Sequence, residues 1–389
     1  MADLRKLRLD LCMTSVFRSV LEHPVFTYFE EYFYSNEEDY KIHSYSAMVA
    51  EIYKMGGSLT DAVRKIVFED ENVYIKMRAA GREIPEVVAE ATARELSVLS
   101  RFASLTVKDF KNDISQEYLS PFESDICDLC AEYEDRIKNI SKHGYGVFSS
   151  YPMFRLDDSG NLLPIISADK ISVDSFIGYE SERNAVINNT RAFVEGRPAA
   201  NVLLCGDAGT GKSSTVKAVA NAFFDSGIRL IELRKDQLSS LPYVMGRISE
   251  NPLKFIIFVD DLSFNKNDDN FSMLKAALEG SASAKADNAV IYATSNRRHI
   301  VKETFDDREG GEVHRNDTMQ EKLSLSERFG LLVYFGKPNK SLYLKIVREL
   351  AERHGIEIDS SLDVRAEEFA LRKGNRSARC AEQFINSLL

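Results

Sequence analysis

The sequence has no long apolar run. Its longest uninterrupted stretches are five residues, as at 255–259, whereas a membrane-spanning helix needs about 20. The first residues mix Arg5, Lys6, Arg8 and Asp10 among leucines, so the apolar stretch of a secretory signal, roughly 7–15 residues, is missing. Cysteine is scarce, five in 389 residues. One CxxC, Cys127 and Cys130, has no second pair to complete a zinc site. The acids around it suggest a helix on which both thiols share a face and pack as small hydrophobes. This usage fits a reducing cytoplasm. Positive charge is also in deficit. Lys and Arg total 50 against 60 acids, net −10, which excludes a chain basic throughout. Internal repeats and low-complexity runs are absent.

The remaining composition is that of a globular protein. Hydrophobic residues are 44% and charged residues 28%, which argues against disorder and collagen. The length, 389 residues, suits about two to three domains of roughly 100–200 residues each. The charge is unevenly spread: residues 1–170 hold 20 basic and 29 acidic side chains, and residues 171–389 hold 30 and 31. Nearly all the acidity sits in the front of the chain, which predicts two differently built parts.

Residues 1–145 read as mostly helical, with likely breaks at Gly56-Gly57, Gly81 and Pro121. Phe26, Tyr28, Phe29, Tyr32, Phe33 and Tyr34 crowd one segment. A core-facing helix is favoured there over a partner-binding strip, because aromatics dominate cores. Glycine, serine and proline thicken after His143, predicting a linker that ends near residue 168. Beyond it, apolar runs at 202–205, 229–233, 255–259, 289–293 and 331–335 alternate with helical patterns. Five such strands imply an α/β fold with a parallel sheet flanked by helices. After Pro338 the pattern turns helical to the end. The predicted domains are a helical accessory region with linker over 1–168, an α/β core over 169–338 and a helical segment over 339–389.

Gly206, Asp207, Ala208, Gly209, Thr210, Gly211, Lys212 and Ser213 satisfy G-x-x-x-x-G-K-[ST] between a strand and a helix. The glycines let backbone N–H groups curl around phosphate oxygens, and the helix N-terminus adds partial positive charge. Lys212 is placed to reach the β- and γ-phosphates of ATP, and the Ser213 hydroxyl to ligate Mg²⁺. Ser214 completes the nucleotide-contacting set. Asp260 and Asp261 end the apolar run 255–259, where ligands bind in such sheets. Asp260 is the metal-side acid; Asp261 is read as orienting or deprotonating the attacking water.

In these motifs the sequence resembles the AAA+ ATPases, over about residues 170–389. The resemblance implies a P-loop AAA+ core with a C-terminal helical lid, and further roles follow from it. Ser175-Phe-Ile-Gly-Tyr-Glu180 looks like the adenine-side segment, with Ile177 and Gly178 near the base. Ala293-Thr-Ser-Asn296 looks like sensor 1, with Asn296 polarising the water or the γ-phosphate. Leu325-Ser-Glu-Arg328 resembles the box with the arginine finger, so Arg328 would reach a neighbouring subunit's nucleotide. Asn375-Arg376-Ser-Ala-Arg379 resembles sensor 2, with Arg379 the first choice and Arg376 the second. The stretches LIEL, FVDDLSF, ALEG, YATSNRRHI, EKLSLSERFG and RSAR are similar to an uncharacterised bacterial AAA+ family, domain of unknown function 815. That family also carries a variable helical N-terminal region.

Two departures stand out. Most AAA+ members end the metal strand in Asp-Glu, whereas Asp261 is one methylene shorter. The polar stretch 306–320 between sensor 1 and the finger is long, and reads as a solvated insertion rather than a loop that orders on assembly. Arg297 and Arg298 adjoin the same interface; His299 and His314 are ordinary loop histidines without partners at metal-ligand spacing. Tyr243-Val-Met-Gly246 admits a substrate-gripping pore loop, but a helix with Tyr243 packed beside its apolar face is favoured.

The expected activity is Mg-dependent ATP hydrolysis at the interfaces of a homo-oligomer, coupled to remodelling of a protein partner chosen by the N-terminal region. The alternative is a low-turnover nucleotide switch or loader acting on a protein–nucleic acid complex. Nucleic acid ranks second because no basic run supplies the Lys/Arg stripe that phosphate neutralisation requires.

Overall fold

The computed structural model describes residues 3–111, 113–166, 171–262, 269–278, 286–296 and 328–389. The chain divides into two units, Met1–Ser150 with Glu250–Pro252, and Tyr151–Ser249 with Leu253–Leu389.

The first unit is helical. Its longer helices are Glu38–Lys54 and Glu86–Ala103, with Pro24–Glu31, Leu59–Glu69 and Leu129–Lys138 packed around a shared apolar core. Phe102 sits among the predicted aromatics: Phe26 stacks on it at 4.5 Å and Phe29 meets it edge-on at 4.9 Å. Phe26, Phe29 and Tyr32 are buried, while Tyr34 is exposed. Most of the aromatic segment is therefore core, as its density implies. The buried Glu95 carboxylate accepts the backbone N–H groups of Ser15, Val16 and Phe17 at 2.8–3.0 Å. It satisfies donors that a helix end would otherwise bury unpaired. Cys127 and Cys130 do not share a helical face, because Cys127 precedes the N-cap Asp128 of Leu129–Lys138. Both are free thiols, partly buried against the core, and burial pushes both thiols upward from their ordinary pKa.

The second unit is built on one sheet. Its strands are β1 (Met153–Leu156), β2 (Leu162–Pro164), β3 (Val202–Gly206), β4 (Ile228–Leu233), β5 (Lys254–Val259), β6 (Ala289–Ser295) and β7 (Leu331–Phe335). Their order is β2-β1-β4-β5-β6-β3-β7. β3 to β7 are the five expected parallel strands. β3 is buried at every residue and β5 at all but its first, as strands covered on both faces must be.

The sheet has seven strands rather than five, and the segment expected to be linker supplies the difference. β1 pairs parallel with β4, and β2 returns antiparallel to β1. The turn between them is made by Asp157, whose Oδ1 accepts the N–H groups of Ser159 and Asn161 at 2.8 Å each, and by Gly160 at φ +84°. Strands of four and three residues carry too short a pattern to stand out. The partner of β1, β4, lies 77 residues further on, from Met153 to Leu230 in register.

The helices Lys340–Arg353, Leu362–Lys373 and Ala378–Asn386 form a cluster around Tyr343, Val347, Ala381 and Phe384, which Ile177 joins. This lid lies in the same unit as the sheet. Residues 241–249 form a helix, not a loop: Leu241, Val244, Met245 and Ile248 are buried, while Tyr243 is 55% exposed and so does not pack as expected. Among the described residues no helix is long and apolar enough to cross a membrane. Arg297, Arg298, His299, His314 and the stretch 306–320 lie outside the described residues.

Candidate nucleotide-binding site

The phosphate loop leaves β3 at Gly206, whose backbone has φ +138°. A Cβ there would stand 2.0 Å from the Phe335 carbonyl oxygen of β7, so only glycine allows the two strands their approach. Gly206→Ala is therefore expected to lose on the order of 3 kcal/mol of stability. Gly246→Ala, in a helix with open space around it, is expected to gain about 1 kcal/mol. Denaturant midpoints of the two variants check both signs. Gly209 and Gly211 follow at φ +76° and +89°, and Gly211 caps the helix Lys212–Ala222.

Lys212 is 5% exposed. Its Nζ donates to the carbonyls of Gly206 and Asp207 at 3.1 and 2.7 Å and to Asn296 Oδ1 at 3.0 Å. Burial pushes its pKa below the usual lysine range, opposed by the charges of Asp207, Asp260 and Asp261. Asn296 Nδ2 in turn donates to Asp261 Oδ1 at 2.8 Å. One amide thus bridges the loop lysine and the second strand-end acid, its oxygen to the cation and its nitrogen to the anion.

Asp260 Oδ1 accepts from Ser213 Oγ at 2.6 Å, from Thr294 Oγ1, and from the Asp261 N–H at 3.1 Å. Asp261 has φ +50°. Among non-glycine residues aspartate and asparagine adopt this region most readily, so the shorter acid suits this backbone better than glutamate would. Among the described residues no group of three or more His, Cys, Asp or Glu is arranged to hold a metal. The oxygen pair Ser213–Asp260 instead fits Mg²⁺, which takes one or two protein oxygens and completes its shell with phosphate and water.

These residues line a cavity of about 390 Å³. Its polar end is the loop from Ala208 to Ser214 with Asp260, Asp261, Thr294 and Asn296. Phe176, Ile177, Ile346 and Leu350 form an apolar end. Arg183 lies at that end, 5.5 Å from the Phe176 ring centre, and donates to the Gly178 carbonyl. Lid and loop meet here: the Arg379 N–H donates to the Gly209 carbonyl at 3.3 Å.

The DUF815 family, described as a protein of unknown function, matches residues 149–389. The chain belongs to this family. No curated protein matches the chain. Among solved structures, it is similar to the Thermotoga maritima RuvB Holliday junction branch migration motor, at 14% identity and TM-score 0.33, over 57% of this chain and 72% of that one. It is also similar to the replication initiator DnaA bound to AMPPCP and single-stranded DNA, at 17% identity and TM-score 0.40, over 58% of this chain and 66% of that one. The phosphate loop between a buried strand and a helix gives this DUF815 chain the fold of a P-loop nucleotide-binding protein.

Most of the sequence-predicted residues of the DUF815 protein converge on the cavity. Ala208 to Ser214, Asp260, Asp261, Asn296, Ile177 and Arg379 all line it. Gly206 and Asp207 begin the loop outside the lining, and Gly178 is packed against Leu342 of the lid. Arg376 is not brought to the cavity. Its guanidinium makes a bidentate pair with Glu367 at 2.9 and 2.8 Å, so its charge is committed within the lid. Arg328 is half-buried just before β7 and is not among the cavity residues. Sequence reasoning passed over Thr294, Phe176, Arg183 and the lid residues Ile346 and Leu350. Thr294 had a local signal, standing two residues before Asn296 and hence on the same face of the strand. The lid residues had none, because only the packing of the C-terminal helices beside the loop brings them there.

Proposed function

We propose that this protein binds ATP with Mg²⁺ and hydrolyses it at junctions between copies of itself, driving the remodelling of a protein partner. The observation that carries this reading is the convergence of Lys212, Ser213, Asp260, Asp261 and Asn296 on one cavity that the apolar side chains of Phe176, Ile177, Ile346 and Leu350 also line. Loop N–H groups and Lys212 bind the phosphates. Ser213 and Asp260 hold the magnesium ion, which when bound supplies neutralisation of charge on the β- and γ-phosphates. Asp261 orients the attacking water and accepts its proton. Asn296 fixes that carboxylate against the loop lysine. Phe176 and Ile177 take the base. Arg379 reads the phosphates from the lid, and Arg328 serves the site of a neighbouring copy. The acidic N-terminal unit carries no catalytic motif and selects the protein partner, with nucleic acid the secondary candidate.

Asp261→Asn tests this directly. The amide keeps the side-chain shape and suits the left-handed backbone, but it cannot take a proton. Hydrolysis is expected to fall by about 10²–10⁴-fold while ATP is retained. The variant should then capture ATP-bound assemblies and their partner in an affinity pull-down. Unchanged turnover in Asp261→Asn would remove this residue from the chemistry.

A further inference from the structure

We propose that Thr294 is a positioning residue that sets both strand-end carboxylates for Mg-nucleotide chemistry; this rests on the reading of the cavity as an ATP site. Thr294 is 2% exposed and stands on β6, in register with Leu204 of β3. It therefore lies between the strand that launches the phosphate loop and β5, which ends in the two acids. Its hydroxyl has one proton and two lone pairs, and both kinds of bond are used. Oγ1 donates to Asp260 Oδ1 and accepts the Asp261 N–H at 2.9 Å. Its carbonyl accepts the Leu262 N–H at 2.7 Å. One residue thus anchors three consecutive residues beyond the end of β5.

Two consequences follow. Asp260 Oδ1 is held by three donors, Ser213 Oγ, Thr294 Oγ1 and the Asp261 N–H, whereas Oδ2 takes none among the described residues. The carboxylate is fixed by one oxygen, and the other would be left to help hold Mg²⁺. Asp261 meanwhile sits at φ +50°, a conformation that persists only where surrounding contacts hold it. Its N–H is gripped by Thr294 while its side chain is gripped by Asn296. Thr294 acts through these acids. A valine would fill the same space and suit the strand, but it would free Asp260 to rotate and loosen Asp261.

The test compares Thr294→Val and Thr294→Ser in the full chain, with hydrolysis followed over a Mg²⁺ titration and binding of a fluorescent ATP analogue measured in EDTA. Thr294→Val is expected to bind in EDTA within about twofold of wild type, to need about tenfold more Mg²⁺ for half-maximal rate, and to lose about tenfold in kcat, with Thr294→Ser restoring each to within about threefold. A purely structural threonine would lower the unfolding midpoint without moving the Mg²⁺ dependence. Wild-type Mg²⁺ dependence and kcat in Thr294→Val overturn the proposal, as does equal impairment of the serine variant, which would trace the effect to the lost methyl. If Thr294→Val does not fold, Thr294→Cys carries the same expectation, because a thiol is a weak donor of similar size. A wild-type protein that binds no nucleotide overturns the ATP-site reading and this proposal with it. A wild type that hydrolyses ATP while Thr294→Val matches it overturns this proposal alone.

Discussion

Arg328→Ala is expected to abolish ATP hydrolysis, with a loss of about 10³–10⁵-fold, while ATP affinity stays within about twofold. The size follows from where charge accumulates. In phosphoryl transfer the negative charge spreads over the transferred group, and a guanidinium placed there stabilises the transition state far more than the ground state. Within one chain Arg328 does not line the cavity. It precedes β7, the strand that pairs with β3 and carries the Phe335 carbonyl against Gly206. On the proposed reading its contribution to a phosphate comes from a second copy, which separates rate from affinity. The decisive measurement mixes two inactive variants. Arg328→Ala and Lys212→Ala, each inert alone, should regain activity together, because some junctions then combine an intact Lys212 with an intact Arg328. Wild-type hydrolysis by Arg328→Ala would end the shared-site reading.

Lys212→Ala is expected to weaken nucleotide binding by about 10²–10⁴-fold, taking roughly two charge-assisted hydrogen bonds to phosphate at 1.5–3 kcal/mol each. Lys212 is nearly inaccessible and its ammonium is already gathered by Gly206, Asp207 and Asn296 oxygens. Phosphate oxygens compete with acceptors that are neutral, and the depressed pKa that burial imposes is relieved by an incoming anion. The same substitution takes a donor from the Gly206 and Asp207 carbonyls, leaving Asp207 with Thr210 Oγ1 at 2.9 Å, so a modest fall in unfolding midpoint is expected to accompany the binding loss. Titration of the variant with a fluorescent ATP analogue measures the effect. Binding at wild-type strength would dismiss the phosphate-loop assignment.

The two effects differ in kind because the residues differ in position. Lys212 binds ground state and transition state alike, so its loss is read in affinity. On the proposed reading Arg328 meets charge only as it develops, so its loss is expected to be read in rate. Between them sits the bridge from Lys212 through Asn296 to Asp261. On the proposed reading it would couple occupancy of the loop to the placement of Asp261.

By itself the sequence determined the parts whose physics is local. A glycine-rich loop between a strand and a helix must curl in the way residues 206–213 do, because the glycines and the helix start are contiguous. The strands β3 to β7 announced themselves because a strand buried on both faces is apolar at every position. The aromatic core of the N-terminal unit was legible for a similar reason. Tertiary structure decided the rest. It turned residues 153–164 from apparent linker into two strands, since β1 gains its identity from pairing with β4. It separated Arg379, beside the loop, from Arg376, paired with Glu367, although only two residues stand between them in the chain. It gave Asp261 a left-handed backbone that explains the shorter acid. And it drew Thr294, Arg183 and the lid residues Ile346 and Leu350 to one cavity. Spacing along a chain reports neighbours within a turn or a strand, whereas Thr294 meets Asp260 from 34 residues away and Asn296 meets Lys212 from 84, only across strand pairings.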